Sequence, residues 1–173
     1  MQSPAWLSAV FFDGEHWYDR LAKAVDNRKS RLRRILLRWH RGFFLSCCVV
    51  GDRGVTAVDP IYDAAAVGYR AAIASVTGLP LTRVVYLHDH HDHICGGAIF
   101  RAGFDCETCA HESYRHRLQR RGDTDIPRPT CGLGDGEVIV DGGAQIVIRY
   151  FGYNHSNSNL LLLLPTARGR MVV

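Results

Sequence analysis

From residue 43 onward the chain alternates short apolar runs with polar, glycine-containing breaks, the pattern of half-buried and buried strands. Residues 43–50, the turn Gly51-Asp52-Arg53-Gly54 and residues 55–58 predict a hairpin. Residues 63–76 predict a helix, which Gly78 and Pro80 end. Residues 84–87 read as a buried strand, so the residues after Leu87 lie at its C-terminal end. A short strand near Cys109 leads into a helix over 112–121. Residues 138–140 and 146–151 then flank the turn Asp141-Gly142-Gly143, and 160–164 form a wholly apolar strand. Strands interleaved with helices indicate a layered α/β or α+β body.

Residues 1–41 differ from this body. Leu32, Ile35, Leu36 and Trp39 recur at the spacing of one helical face, with Arg31, Arg34, Arg38 and Arg41 around them. The segment is therefore expected to be a basic, helical N-terminal extension of a domain over 42–173. It holds nine of the 21 Lys and Arg residues against four acids, so the net charge of +4 belongs to it and not to the body. A basic amphipathic helix can touch nucleic acid or anionic lipid. The simpler expectation is that its apolar stripe packs on the body while the arginines stay solvated. Trp39 is the one aromatic residue among the basic ones of 28–41, short of the series that a base-stacking platform requires, so nucleic acid is the less favoured partner.

A chain of 173 residues is one domain or most of one. Its longest apolar run, at 160–165, falls far short of the ~20 residues that cross a bilayer. No basic segment precedes the apolar residues 5–12, and Asp13 and Glu15 come directly after them, so no secretory signal is read and the expected location is cytoplasmic. The six cysteines, Cys47, Cys48, Cys95, Cys106, Cys109 and Cys131, are then expected as free thiols. Cys106 and Cys109 form a C-x-x-C without the second pair of a structural zinc site.

The chemistry is concentrated in His88-Asp89-His90-His91-Asp92-His93, four imidazoles in six residues. Rings packed so closely are costly to bury unless a metal satisfies them. His88 and His90 are two apart, so on extended chain they point to one side and can reach one cation. Asp92 and His93 come where the chain turns into a helix, aimed at a second position. Imidazole nitrogen with carboxylate oxygen suits zinc, with iron or manganese as alternatives.

A strand ending in H-x-H-x-D-H, here His88, His90, Asp92 and His93, resembles the metallo-β-lactamase fold superfamily. Further matches are the hairpin ending in Ala57-Val58-Asp59, the Gly96-Gly97 pair, Ala110-His111-Glu112, and Gly152-Tyr153-Asn154-His155 before an apolar strand closing at Pro165. The resemblance covers residues 43–173. It implies an αββα sandwich of two sheets between helices, a four-layer body built from two similar halves. His88, His90 and His155 are then implied to bind a first metal and Asp92 and His93 a second, giving one or two zinc ions. Asp59 matches an acid near the metal centre that orients a ligand; ending the strand in a turn with Pro60 is its alternative role. His91 and Asp89 fall at variable positions and are expected not to bind metal. His111 and His116 have no evident partner, and Cys95 reads as a spacer.

The implied reaction is hydrolysis of a small-molecule substrate by a metal-activated water, with Asp92 as the catalytic residue that helps orient the nucleophile. Ester, lactone, thioester, amide and phosphoester substrates all stay open. The pattern departs from the superfamily at its end: the bridging carboxylate and last histidine do not appear, and no acid comes after Val173. A truncated chain with an incomplete second half is therefore expected. Two other readings stand beside the hydrolase. One is a mononuclear iron oxygenase of the persulfide dioxygenase kind on the same fold, and the other is an inactive fragment or nucleic-acid-binding module.

Overall fold

The computed structural model describes residues 10–11, 33–38, 45–121, 126–141, 144–166 and 169–172. Two sheets stack face to face. The larger joins seven strands in the order β1 (Val10–Phe11), β2 (Arg33–Arg38), β3 (Leu45–Val50), β4 (Val55–Val58), β5 (Leu81–Tyr86), β6 (Glu107–His111) and β7 (Cys131–Leu133). From β4 to β7 its strands run parallel, connected through α1 (Asp63–Val76), α2 (His91–Ile94) with α3 (Gly97–Arg101), and α4 (Glu112–Arg121). The smaller is an antiparallel meander of β8 (Val138–Asp141), β9 (Ala144–Tyr150), β10 (Leu160–Thr166) and β11 (Gly169–Val172).

Each face of the larger sheet buries its own core. On one face Cys48, Val50, Ala57, Val84, Tyr86 and Ala110 pack against helical residues Ala66, Tyr69, Ile73, Ile94, Phe100 and Tyr114. On the other, Cys47, Val49, Val58, Val85, Cys109 and Leu133 meet Ile146, Ile148, Leu160, Leu162 and Leu164 of the smaller sheet. Helix α1 fits its place because Ala65, Ala66, Tyr69, Ala72 and Ile73 recur on one face and are buried. Strand β10 alternates, with Leu160, Leu162 and Leu164 buried and Leu161 and Leu163 half-buried, so only one of its faces enters the core. Each buried leucine contributes about 2 kcal/mol through apolar area removed from water. All four described helices lie on one side, giving helix, sheet, sheet as the described layers of the α/β architecture.

Segment 33–38 corrects an expectation. The helical spacing of Ile35 and Leu36 does not produce a helix; the residues form β2, paired antiparallel with β3 from Arg33↔Val50 to Arg38↔Leu45. Three consecutive apolar residues, Ile35 to Leu37, fit either period, and pairing six residues along an otherwise open edge of β3 decides between them. The larger sheet thus extends across the boundary expected at residue 42. Leu32, Trp39, Phe43, Phe44, the Gly142-Gly143 turn and Val173 lie outside the described residues. Strand β7, only three residues long, carries no periodic signal by which the sequence could announce it. No described helix is long and apolar enough to cross a membrane.

Candidate metal centre

The site forms at the carboxyl ends of the parallel strands, where open α/β sheets leave a crevice. Asp59 comes directly after β4, and His88 and His90 come just after β5. The loop between β9 and β10 brings His155, and its far end is fastened to the strand that bears His88: the Leu160 N–H donates to the Leu87 carbonyl at 2.8 Å.

Three imidazoles converge. His88, His90 and His155 each offer a ring nitrogen within 4.8 Å of the others. The His88 ring centroid lies 4.8 Å from that of His90 and 5.2 Å from that of His155, and His90 and His155 are 4.5 Å apart. His88 is buried, and its Nε2 has no hydrogen-bond partner. Burial lowers the His88 pKa to about 4, opposed by the charge of Asp59 and assisted by the neighbouring imidazoles, so the ring is neutral near pH 7. A neutral imidazole with an unsatisfied buried nitrogen, facing two more imidazoles, fits a divalent metal ion.

A second group consists of Asp59, His88 and His93, whose donor atoms also lie within 4.8 Å of one another. The His93 Nδ1–H donates to Asp59 Oδ2 at 2.9 Å, which sets the tautomer and orientation of the ring. Burial disfavours the charged His93 ring, but the hydrogen bond and charge of Asp59, with the charge of Asp92, prevail and raise its pKa. Asp59 is itself fixed from several sides: its Oδ1 accepts from Leu87 N–H at 2.7 Å, its N–H donates to Val85 O at 2.9 Å, and its carbonyl accepts from Ser46 Oγ at 2.8 Å. Asp59 also turns the chain, at φ +40°, ahead of Ile61 at φ +64°. A β-branched residue in the left-handed region is strained. Ile61 is held there by His93 O, which accepts from its N–H at 2.8 Å, and by Gly96, whose N–H donates to its carbonyl at 2.7 Å. Gly96 must lack a side chain, since a Cβ would lie 2.6 Å from Ala66 Cβ and 2.8 Å from Ile61 O.

No family model matches the chain. It is 34% identical over 131 residues to the 2,4-dinitroanisole O-demethylase subunit alpha of Nocardioides sp. (strain JS1661), a match taking in 73% of this chain and 39% of that protein's length. Among solved structures, the MIM-2 metallo-β-lactamase superposes with a TM-score of 0.67 at 19% identity, over 83% of this chain and 57% of that one. For the IND-7 metallo-β-lactamase the values are 0.63, 22%, 79% and 63%. A flavo di-iron protein from Thermotoga maritima reaches 0.57 at 16% identity, over 78% and 37%. The chain has the metallo-β-lactamase fold. It spans less than two thirds of the length of each of these proteins.

Within the metallo-β-lactamase fold, the structure brings together His88, His90, His155, His93 and Asp59. Asp92 is exposed beside His93 and its carboxylate belongs to neither group of converging donors. His91 is exposed, one turn position away. Asp89 has a structural tie instead: its Oδ2 pairs with Arg117 Nη2 at 2.9 Å and its Oδ1 accepts from Ser158 Oγ at 3.3 Å. His111 has partners the sequence did not reveal, stacking on Tyr150 at 3.8 Å between centroids and sharing a 2.8 Å hydrogen bond with Ser113 Oγ. Cys95 Sγ lies 3.8 Å from Ile61 O, in keeping with a spacer. Cys106 and Cys109 face opposite cores, so their C-x-x-C spacing makes no joint site.

Proposed function

We propose that the chain is the metal-binding part of a metal-dependent hydrolase. His88, His90 and His155 hold a first divalent ion; His93, oriented by Asp59, and Asp92 hold a second. The convergence of ring nitrogens from His88, His90 and His155, together with the buried Nε2 of His88 that has no hydrogen-bond partner, carries this reading. Zinc suits a set of imidazole donors, with iron and manganese as alternatives. A bound ion would supply Lewis acidity, drawing the pKa of water from 15.7 toward ~7. The chain's own residues do the rest. Asp59 fixes the tautomer of His93. Asp92, exposed at the rim, orients the attacking water and takes up its proton.

The test is metal content of the full chain purified without chelators, where one or two equivalents of zinc are expected. His88→Ala or His155→Ala should lower that content and His91→Ala leave it nearly unchanged. Absence of any stoichiometric metal, or equal loss from all three variants, overturns the assignment.

A second, narrower reading is suggested by the relative's name: the substrate is an electron-poor aryl methyl ether. Water adding to the ring carbon that bears the methoxy group displaces methanol, so ether and water become phenol and methanol. Oxygenative demethylation instead consumes dioxygen and a reductant and releases formaldehyde. With 2,4-dinitroanisole as probe, methanol without oxygen uptake supports the hydrolase. Formaldehyde with oxygen uptake, accompanied by stoichiometric iron and no zinc, moves the assignment to the mononuclear iron oxygenase.

A further inference from the structure

We infer that Arg117 is a positioning residue that sets where His155 stands relative to His88 and His90. The three imidazoles come from two unconnected stretches of chain. His88 and His90 leave β5, which is held on both sides by β4 and β6. His155 is exposed on the loop between β9 and β10, and the bonds nearest it stay local: its N–H donates to Asn154 Oδ1 at 2.5 Å, and Asn154 Nδ2 donates to Gly152 O at 3.2 Å.

Beside the direct bond from Leu160 N–H to Leu87 O, a second tie between this loop and the histidine motif passes through α4. One guanidinium nitrogen, Arg117 Nη2, pairs with Asp89 Oδ2 at 2.9 Å, on the residue between His88 and His90. The other, Nη1, donates to Asn157 Oδ1 at 3.1 Å, two residues beyond His155. The Asn157 carbonyl is held as well, accepting from Ser113 Oγ at 3.2 Å and from Tyr150 Oη at 2.9 Å. Ser158 Oγ closes the circuit on Asp89 Oδ1 at 3.3 Å. The planar guanidinium spreads its charge over both nitrogens, so it makes an ion pair with Asp89 through Nη2 and a hydrogen bond to Asn157 through Nη1, which a single ammonium does less well. Arg117 therefore braces the two ligand-bearing stretches against each other together with these direct bonds, and Asp89, outside both groups of converging donors, is its anchor within the motif.

The inference rests on the metal-binding reading above, and zinc affinity of the full chain, measured by competition with a chromophoric chelator, tests the two separately. The Arg117 side chain is 34% accessible but its paired nitrogen is buried, so circular dichroism accompanies each variant to show that it is folded. Arg117→Met is expected to weaken zinc binding about tenfold or more, the scale on which outer-shell partners act. Arg117→Lys should restore part of that loss. In a His155→Ala background the same Arg117→Met change should have no further effect, because the ligand it positions is gone. Asn157→Ala, which removes one end of the brace, should act in the same direction and supplies the comparison if Arg117→Met does not fold. A wild-type chain that binds no zinc overturns the metal centre. A wild-type chain that binds zinc, with Arg117→Met unchanged or equally damaging in the His155→Ala background, overturns the brace alone.

Discussion

Two substitutions at Asp59 should separate its structural from its chemical work. The carboxylate is 1% exposed, accepts from Leu87 N–H through Oδ1 and from His93 Nδ1–H through Oδ2, and sits at φ +40°. Asp59→Ala leaves the Leu87 N–H without its acceptor, at about 1 to 3 kcal/mol, and places alanine in the left-handed region at about 1 to 2 kcal/mol. The expected loss is thus about 2 to 5 kcal/mol in urea unfolding. Asp59→Asn keeps an oxygen for Leu87 and tolerates the backbone angle, so it should cost no more than about 1.5 kcal/mol. Its amide, however, donates where the carboxylate accepted, and His93 Nδ1 must now accept. The ring then carries its proton on Nε2, the opposite tautomer to the one that Asp59 sets. In the metal-free protein the His93 pKa should fall below its ordinary value, since burial, the largest influence, remains and only the smaller charge effect of Asp92 still opposes it. Nitrogen NMR of the imidazoles reads both tautomer and titration, and the Asn variant should lose second-ion binding while staying folded. Equal destabilisation by Asn and Ala, or an Asn variant in which His93 keeps Nδ1–H and a raised pKa, would refute the reasoning.

Two further outcomes are expected. Because His88 has a folded pKa near 4 against an ordinary 6.5, the metal-free unfolded chain binds more protons than the folded one between those values, and stability should fall as pH drops through that window. His93, with its raised pKa, works the other way, adding stability at low pH that is lost as pH rises through the folded value. Urea midpoints measured across the range should show a smaller acid-side loss in His88→Ala, and an identical slope would count against a buried neutral imidazole. Gly96→Ala should destabilise by about 1 to 3 kcal/mol, because its new methyl meets Ala66 and the Ile61 carbonyl at contact distances that cannot both relax. Thermal denaturation unchanged from wild type would show that the 59–61 turn does not pack against Gly96 as described.

Much of the local structure is legible in the sequence. Helices α1 and α4 span the residues their periodicity indicates, and the hairpin of β3 and β4 and strands β8 to β10 track the alternation of apolar runs and turns. Five of the six candidate site residues, His88, His90, His93, His155 and Asp59, gather in the two groups, with Asp92 at their rim. Segment 33–38 misleads because its apolar residues satisfy both helical and strand spacing, and the choice falls to a partner strand. The ties of Asp89 to Arg117 and of His111 to Tyr150 are illegible for a similar reason: each joins residues tens of positions apart through side chains that no local period marks.

The sequence by itself determined which stretches of the body would be helix or strand and which residue types would stand at the end of β5, since periodicity and donor chemistry are local properties. Only the tertiary structure decided that His155 would face His88, that Asp59 would take the Nδ1 proton of His93 in a hydrogen bond, and that α4 would stand between the two ligand-bearing stretches. Those relations arise when two sheets close on a shared apolar core and a hydrogen bond from Leu160 to Leu87 sets one loop beside another, a geometry that depends on strand order and packing.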